Sequence, residues 1–336
     1  MGADPRAVRR RLFRILLGLF LVGGFVFTVE IGLRTYKSLT YDGMLFLGPS
    51  ANNVRSDTYG WISPSDRAYQ KSDSCYGRGV VTYNENGFRG PPLSEAEEAA
   101  KVVCLLGDST IQSYQIPDGG HLGSMLRTSL KKRFGNVFLL QLAVGGYGTT
   151  QEWMLYRDYC APLNPDLIIH HWADNDPANN DFEAELYGHG SNMRRRPFWE
   201  NGQIVYRKPF TLKPGAWLES LMIVKIANLA LEASSPSETA YRAALERGWS
   251  VAGEMLKKIG AGGSPVVGLV ASDHERAFEL YRQHGYSVAT YEPFTEEETC
   301  GPRDPHPHSG GHAKMHAALW PVVERALVES GHAPQQ

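Results

Sequence analysis

From Lys101 onward, short apolar runs alternate with amphipathic stretches, and this alternation restricts the fold more than any other feature of the chain. Val102–Leu106, Val137–Leu142, Leu167–His171, Pro265–Val270 and Ser287–Tyr291 have the length and composition of buried strands in a parallel sheet. Helical spacing fills the gaps. His121–Arg133 puts Leu122, Met125, Leu126 and Leu130 on one face, Gln151–Ala161 follows Thr149 or Thr150 as its cap, and His274–His284 and Ala313–Ser330 complete the set. Strands that alternate with helices build a parallel sheet with right-handed crossovers and helices on both faces. The expectation is a flavodoxin-like, three-layer α/β/α sandwich around a five-stranded parallel sheet, occupying residues 101–330. One connection breaks the rhythm. Residues 177–248 separate the third and fourth strands, and a connection of that length is usually functional. It is expected to hold a hairpin at Phe198–Tyr206 around Asn201-Gly202 and a helix at Trp217–Ala233. It leaves the carboxyl end of a strand, so it reads as a lid-like insert. Tyr187, Trp199, Trp217 and Tyr206, with Arg194–Arg196, are its candidates for contacting a sugar or a phosphorylated headgroup.

The N-terminus has a different composition. Arg6, Arg9, Arg10, Arg11 and Arg14 precede Ile15–Val29, a run with no charged residue. Extended to Leu12–Leu33, the run has 22 residues, and at ~1.5 Å per residue it spans a ~30 Å hydrocarbon core. The arginine excess before it predicts a cytoplasmic segment at 1–11, a signal anchor at 12–33 and the main body outside. FTVEIGLRTY after the run lacks the small-residue site a cleaved signal needs. The expected location is therefore the cytoplasmic (inner) membrane, single-pass, with the main domain periplasmic or otherwise extracytoplasmic. Residues 34–100, rich in Gly, Ser, Asn, Asp and Tyr, read as a stalk that becomes a loop-rich lead-in. Glu85-Asn86-Gly87 marks a turn, and Ser94–Ala100 reads as a short helix.

A net charge of −2 and the lack of any basic stripe point away from nucleic acid as a partner. The four cysteines, Cys75, Cys104, Cys160 and Cys300, would face an oxidising compartment. They allow three full connectivities. Cys75 with Cys300 is preferred because both lie in Gly/Pro-rich loops, whereas Cys104, inside a strand, reads as a buried free thiol. There is no C-x-x-C, and the histidines show no zinc-like spacing outside His306–His316, so no metal and no cofactor are expected.

Four short motifs follow strand ends and should therefore meet at one edge of the sheet. They are Gly107-Asp108-Ser109, the Gln141–Gly148 stretch ending in Gly145-Gly146-Tyr147-Gly148, Ala173-Asp174-Asn175-Asp176, and Asp304-Pro305-His306 leading to His312. Taken singly, each is an ordinary turn. Together they supply the parts of nucleophilic acyl transfer: a serine, an imidazole to take its proton, a carboxylate to orient the imidazole, and donors for an oxyanion. His306 is the base of choice because Asp304 precedes it. His312, His170 and His171 read as structural.

In this order the motifs resemble those of the SGNH/GDSL hydrolase superfamily. The anchor, Asn84–Gly90 (NENGFRG) and Gly146–Gln151 (GYGTTQ) look like the membrane-anchored bacterial members in particular. The resemblance implies Ser109 as nucleophile, His306 as general base and Asp304 as its orienter. It also implies an oxyanion hole made by the Ser109 and Gly146 backbone N–H groups and the Asn175 side chain. The chain departs from the family pattern at three points: Ala173 replaces a glycine, Gln141 replaces an asparagine, and the aspartate stands two residues before the histidine, with Arg303 in its usual place. The activity implied is that of a serine esterase, without cofactor, on an acyl or acetyl ester of a polysaccharide or lipid. Its rivals are an O-acetyltransferase using the same residues and a catalytically silent binding module.

Overall fold

The structure, a computed structural model, describes residues 5–40, 53–73, 75–188, 195–207, 221, 223, 237–301 and 304–331. The chain divides into two compact units, Met1–Ser50 with Phe210–Ser235, and Ala51–Pro209 with Pro236–Gln336. In the first, α1 (Pro5–Thr40) contains a 27-residue stretch, Arg9–Thr35, long and apolar enough to cross a membrane. The expected helix at Trp217–Ala233 lies outside the described residues, as do Arg194 and Arg303.

The second unit opens with two hairpins, β1 (Val54–Ser56) with β2 (Gly60–Ile62) and β3 (Arg67–Asp73) with β4 (Gly77–Tyr83). The parallel sheet follows: β5 (Lys101–Gly107), α2 (Ser109–Gln112), α3 (Leu122–Phe134), β6 (Val137–Ala143), α4 (Thr149–Leu155) and β7 (Leu167–His171). Next come α5 (Asp176–Asn180), α6 (Phe182–Gly188), a hairpin of β8 (Arg196–Glu200) and β9 (Gln203–Arg207), and α7 (Glu238–Gly260). β10 (Val266–Ala271), α8 (Glu275–Gln283), β11 (Ser287–Tyr291) and α9 (Ser309–Glu329) complete the fold.

The sheet runs β6-β5-β7-β10-β11, every pair parallel. This is the doubly wound order expected, and its strand order reverses between β5 and β7. Alternation along β5 makes the two cores. Val102, Cys104 and Leu106 face α4, α7 and α8, while Val103 and Leu105 face α3 and α9. The β8–β9 turn falls at Asn201-Gly202, both at positive φ (51° and 81°), the conformation a two-residue hairpin needs.

Three expectations are corrected. Neither Thr149 nor Thr150 caps α4. Gly148 holds the cap position, and Asn180 Oδ1 accepts from the Thr150 N–H at 2.9 Å in place of a local side chain. Beyond Leu155 the helix widens into a π turn at Tyr156–Cys160, then tightens. Cys104 is not a free thiol: it bonds Cys160 across the core, while Cys75 bonds Cys300. Cys104 faces the same core as the π turn that carries Cys160, which a reading of strand and helix separately does not bring together. The 23-residue helix α7 was not anticipated at all, although Ala244, Ala252, Leu256 and Ile259 are buried along it. It begins inside the 177–248 stretch and is the crossover from β7 to β10. The lead-in packs on the sheet: Trp61 and Phe88, each 1% exposed, are part of its core.

Candidate active site

Ser109, Gly146, Asn175 and His306 line one cavity of about 580 Å³ at the carboxyl edge of the sheet, beside the β5/β7 reversal. Ser109 begins α2, and Asp108 caps that turn by accepting from the Thr110 N–H at 3.1 Å. Gln141, the residue that replaces asparagine, donates from β6 to the Ile111 carbonyl and so holds α2 to the sheet.

His306 Nδ1 lies 2.7 Å from Asp304 Oδ1, and its Nε2 lies 2.8 Å from Ser109 Oγ. With Nδ1–H donating to Asp304, Nε2 is left as the acceptor of the serine proton. Asp108 Oδ2, 3.1 Å from the same hydroxyl, offers a second acceptor. Asp304 thus reaches the imidazole from two residues upstream because the loop turns tightly there. Its own N–H bonds the Gly301 carbonyl at 3.0 Å, and its carboxylate also accepts from the His306 N–H at 3.3 Å. The loop is anchored at one end by Cys300, bonded to Cys75, and at the other by the His308 N–H on the Glu298 carbonyl, 2.9 Å.

Burial opposes charge on His306, but the Asp304 hydrogen bond and the charges of Asp304 and Asp108 outweigh it and raise the imidazole above its ordinary value. Burial likewise opposes the Asp304 charge, and the hydrogen bond to His306 with the nearby Tyr76 hydroxyl reverses this, leaving the carboxylate below its usual range.

Three donors border the same space. Gly146 sits at φ 77°, a conformation that favours glycine. Among the described residues, neither its N–H, the Ser109 N–H nor the Asn175 side-chain amide has a protein hydrogen-bond partner. Asn175 is presented by a closed turn: Asp176 Oδ2 accepts from the Ala173 N–H and the Asp176 N–H bonds the Ala173 carbonyl, both at 3.0 Å. Ala173 replaces the family glycine in that turn, and the turn still closes.

His312, as expected, is structural. It is buried, its Nδ1 accepts from the Leu122 N–H at 3.3 Å, and burial pushes it down to about 3. His170 and His171 are buried behind the site, and His171 also lines the cavity. Of the insert's candidate contacts, Trp199, Tyr206, Arg195 and Arg196 do not line the cavity, and Arg194, Trp217 and the Tyr187 side chain lie outside the described residues. Trp199 rests on Trp153 (5.5 Å between centroids), the Tyr206 hydroxyl donates to the Thr58 carbonyl, and Arg195 lies over the Tyr206 ring. Arg196 is fully buried, with its guanidinium on the Gly146 and Asn179 carbonyls. Sequence reasoning missed this buried layer behind Gly146, made by Trp61, Gln112 and Arg196. No local pattern could reveal it, since the three come from separate elements.

Sheet order, motif order and the Ser109–His306–Asp304 chain of hydrogen bonds agree with the resemblance to SGNH/GDSL hydrolases drawn from the sequence. No family model matches the chain, and no curated protein matches it in sequence. Among solved structures it is similar to TesA (13% identity, covering 67% of this chain and 99% of that one, TM-score 0.39). It is also similar to the acetyl xylan esterase AlAXEase (12% identity, 66% and 99% covered, TM-score 0.39). A third is a lipase/acylhydrolase from Enterococcus faecalis (12% identity, 70% and 99% covered, TM-score 0.37). At 12–13% identity these likenesses say nothing of this chain's substrate.

Proposed function

We propose that the protein is a membrane-anchored serine esterase that cleaves acyl esters through an acyl-enzyme on Ser109. The observation that carries this reading is the unbroken path from Asp304 through His306 to Ser109, with three unpartnered N–H donors beside it. In the first step His306 Nε2 takes the Ser109 proton as Oγ attacks the ester carbonyl. The carbonyl oxygen becomes an oxyanion held by the Ser109 and Gly146 N–H groups and the Asn175 amide. The imidazolium, stabilised by Asp304, returns its proton to the departing alcohol. In the second step His306 deprotonates a water, which attacks the acyl carbonyl, and the acid leaves as Ser109 regains its proton. The complete relay speaks against a catalytically silent module.

For the alcohol portion, an acylated glycan suits the cavity best. Phe294, half-buried and stacked on Tyr291 5.2 Å away, offers apolar surface beside the Asp174, Asp273 and Glu296 carboxylates, which can accept from hydroxyls. The arginine-flanked apolar stretch of α1 supports a single-pass anchor with the N-terminus inside. Two disulfides in the second unit support an oxidising, extracytoplasmic location for it.

The test is hydrolysis by the full-length protein in detergent, assayed on short acyl esters, acetylated oligosaccharides and phospholipids, with Ser109→Ala beside it. Ser109-dependent release of acetate from the oligosaccharides is the expected result. Hydrolysis confined to phospholipids would overturn the glycan assignment, and no hydrolysis of any ester would overturn the esterase. An O-acetyltransferase would instead be revealed by acetyl transfer to added unacetylated glycan at the expense of free acetate.

A further inference from the structure

We infer that Trp61, in the lead-in strand β2, is a positioning residue that polarises the Gly146 oxyanion donor. This rests on the esterase reading above. The Trp61 indole Nε1–H donates to the Gly145 carbonyl at 3.0 Å. That carbonyl and the Gly146 N–H are the two ends of one peptide group. A donor on the oxygen draws electron density from the nitrogen and makes its N–H a stronger donor. The peptide is also held in place from either side. Gln112 Oε1 accepts from the Gly145 N–H at 2.8 Å, and its amide donates to Ser63 Oγ at 2.7 Å. Arg196 donates to the Gly146 carbonyl at 2.6 Å and to the Asn179 carbonyl at 3.0 Å, with its guanidinium 5.0 Å from the Trp61 ring. Trp61 is 1% and Arg196 0% exposed, so water does not compete for these bonds. Tyr147 clamps the other end, its hydroxyl donating to the Trp61 carbonyl and its ring edge-on to the indole at 5.5 Å. The lead-in, outside the sheet, thereby sets the strength of a donor at the sheet's edge.

The experiment uses the full-length protein in detergent with two replacements. Trp61→Phe removes the N–H and part of the ring. A β-(3-benzothienyl)alanine at position 61 keeps the ring's shape and puts sulfur where the N–H was, which settles the matter should the phenylalanine variant fail to fold. The expected result is a fall in kcat of about tenfold, the size of one ordinary hydrogen bond, with KM within about twofold. The Gly146 amide proton, followed by selective 13C/15N-glycine labelling, should move upfield in both variants. An unchanged kcat and an unchanged Gly146 resonance in the benzothienyl variant would overturn the inference, as would a loss confined to KM. If the wild-type protein hydrolyses no ester, the esterase reading falls, and the Gly146 resonance still decides whether Trp61 polarises that peptide.

Discussion

Two histidine–carboxylate pairs stand 2.7 Å apart in the same fold, His306–Asp304 and His170–Glu152. The first is two residues of one loop, each about a third exposed, at the mouth of the cavity. The second joins β7 to α4 with neither side chain exposed at all. Surroundings drive the two in opposite directions. At the loop, mutual attraction overcomes burial, so His306 rises and Asp304 falls, and the pair favours charge. In the interior, burial prevails. His170 is pushed down to about 3 and Glu152 is pushed well above its usual range, with the Asp108 charge adding to the effect on Glu152. Burial thus favours the neutral form of both, in which a protonated Glu152 donates to His170 Nε2 while His170 Nδ1 meets the Tyr281 hydroxyl. The same bond length suits the proposed proton relay in one place and a structural tie in the other.

The sharpest way to break this contrast is to remove the relay's imidazole. His306→Gln should lower kcat by about 10⁴- to 10⁶-fold with folding intact, measured by ester hydrolysis and circular dichroism. Asp304→Asn should cost about 10³- to 10⁴-fold and should also move the pH profile. Activity requires neutral His306, so kcat/KM rises with pH through the imidazole's folded value, which lies above 6.5 in the wild type. Without the Asp304 charge that midpoint falls. A midpoint that stays put would mean Asp304 does not govern the imidazole. Asn175→Ala should cost about 10²- to 10³-fold in kcat with little change in KM, the signature of a donor used at the oxyanion.

The interior pair should respond least. Glu152→Gln keeps a neutral donor for His170 and should leave kcat within about threefold. Its stability, however, should depend differently on pH. Glu152 titrates above 4.5 in the fold, so the stability it contributes is full below 4.5 and is lost as pH rises, whereas glutamine has no such loss. The melting temperature of Glu152→Gln relative to wild type should therefore climb as pH rises above 4.5. A constant offset would mean that Glu152 is charged inside the fold.

The contrast also marks what a sequence can disclose. The five strands followed from apolar runs of strand length, and their alternation with helices pointed to the flavodoxin-like sheet. The candidate relay was legible because Ser109, Gly146 and Asn175 each sit within a few residues of a strand end and the Asp304–His306 pair lies in the loop that leaves the last strand, so parallel topology brings them to one edge. What escaped depends on long-range burial. α7 has small apolar residues scattered among charged ones, so its helical face is faint until the sheet lies beneath it. Cys104–Cys160 needed the π turn to be placed against β5. Arg196, in an Arg-Arg-Arg run, looks like a surface cation and is instead sealed against the Gly146 loop. His170 and His306 are the same residue type beside a carboxylate, and only their surroundings separate them.

The central claim is that Ser109 is the activated nucleophile of this relay. A fluorophosphonate probe applied to the full-length protein, with the adduct located by peptide mass spectrometry, tests it most directly. The account predicts a single adduct on Ser109 that is lost in Ser109→Ala and slowed in His306→Gln. A folded wild-type protein that stays unlabelled, or is labelled on another residue, would contradict it.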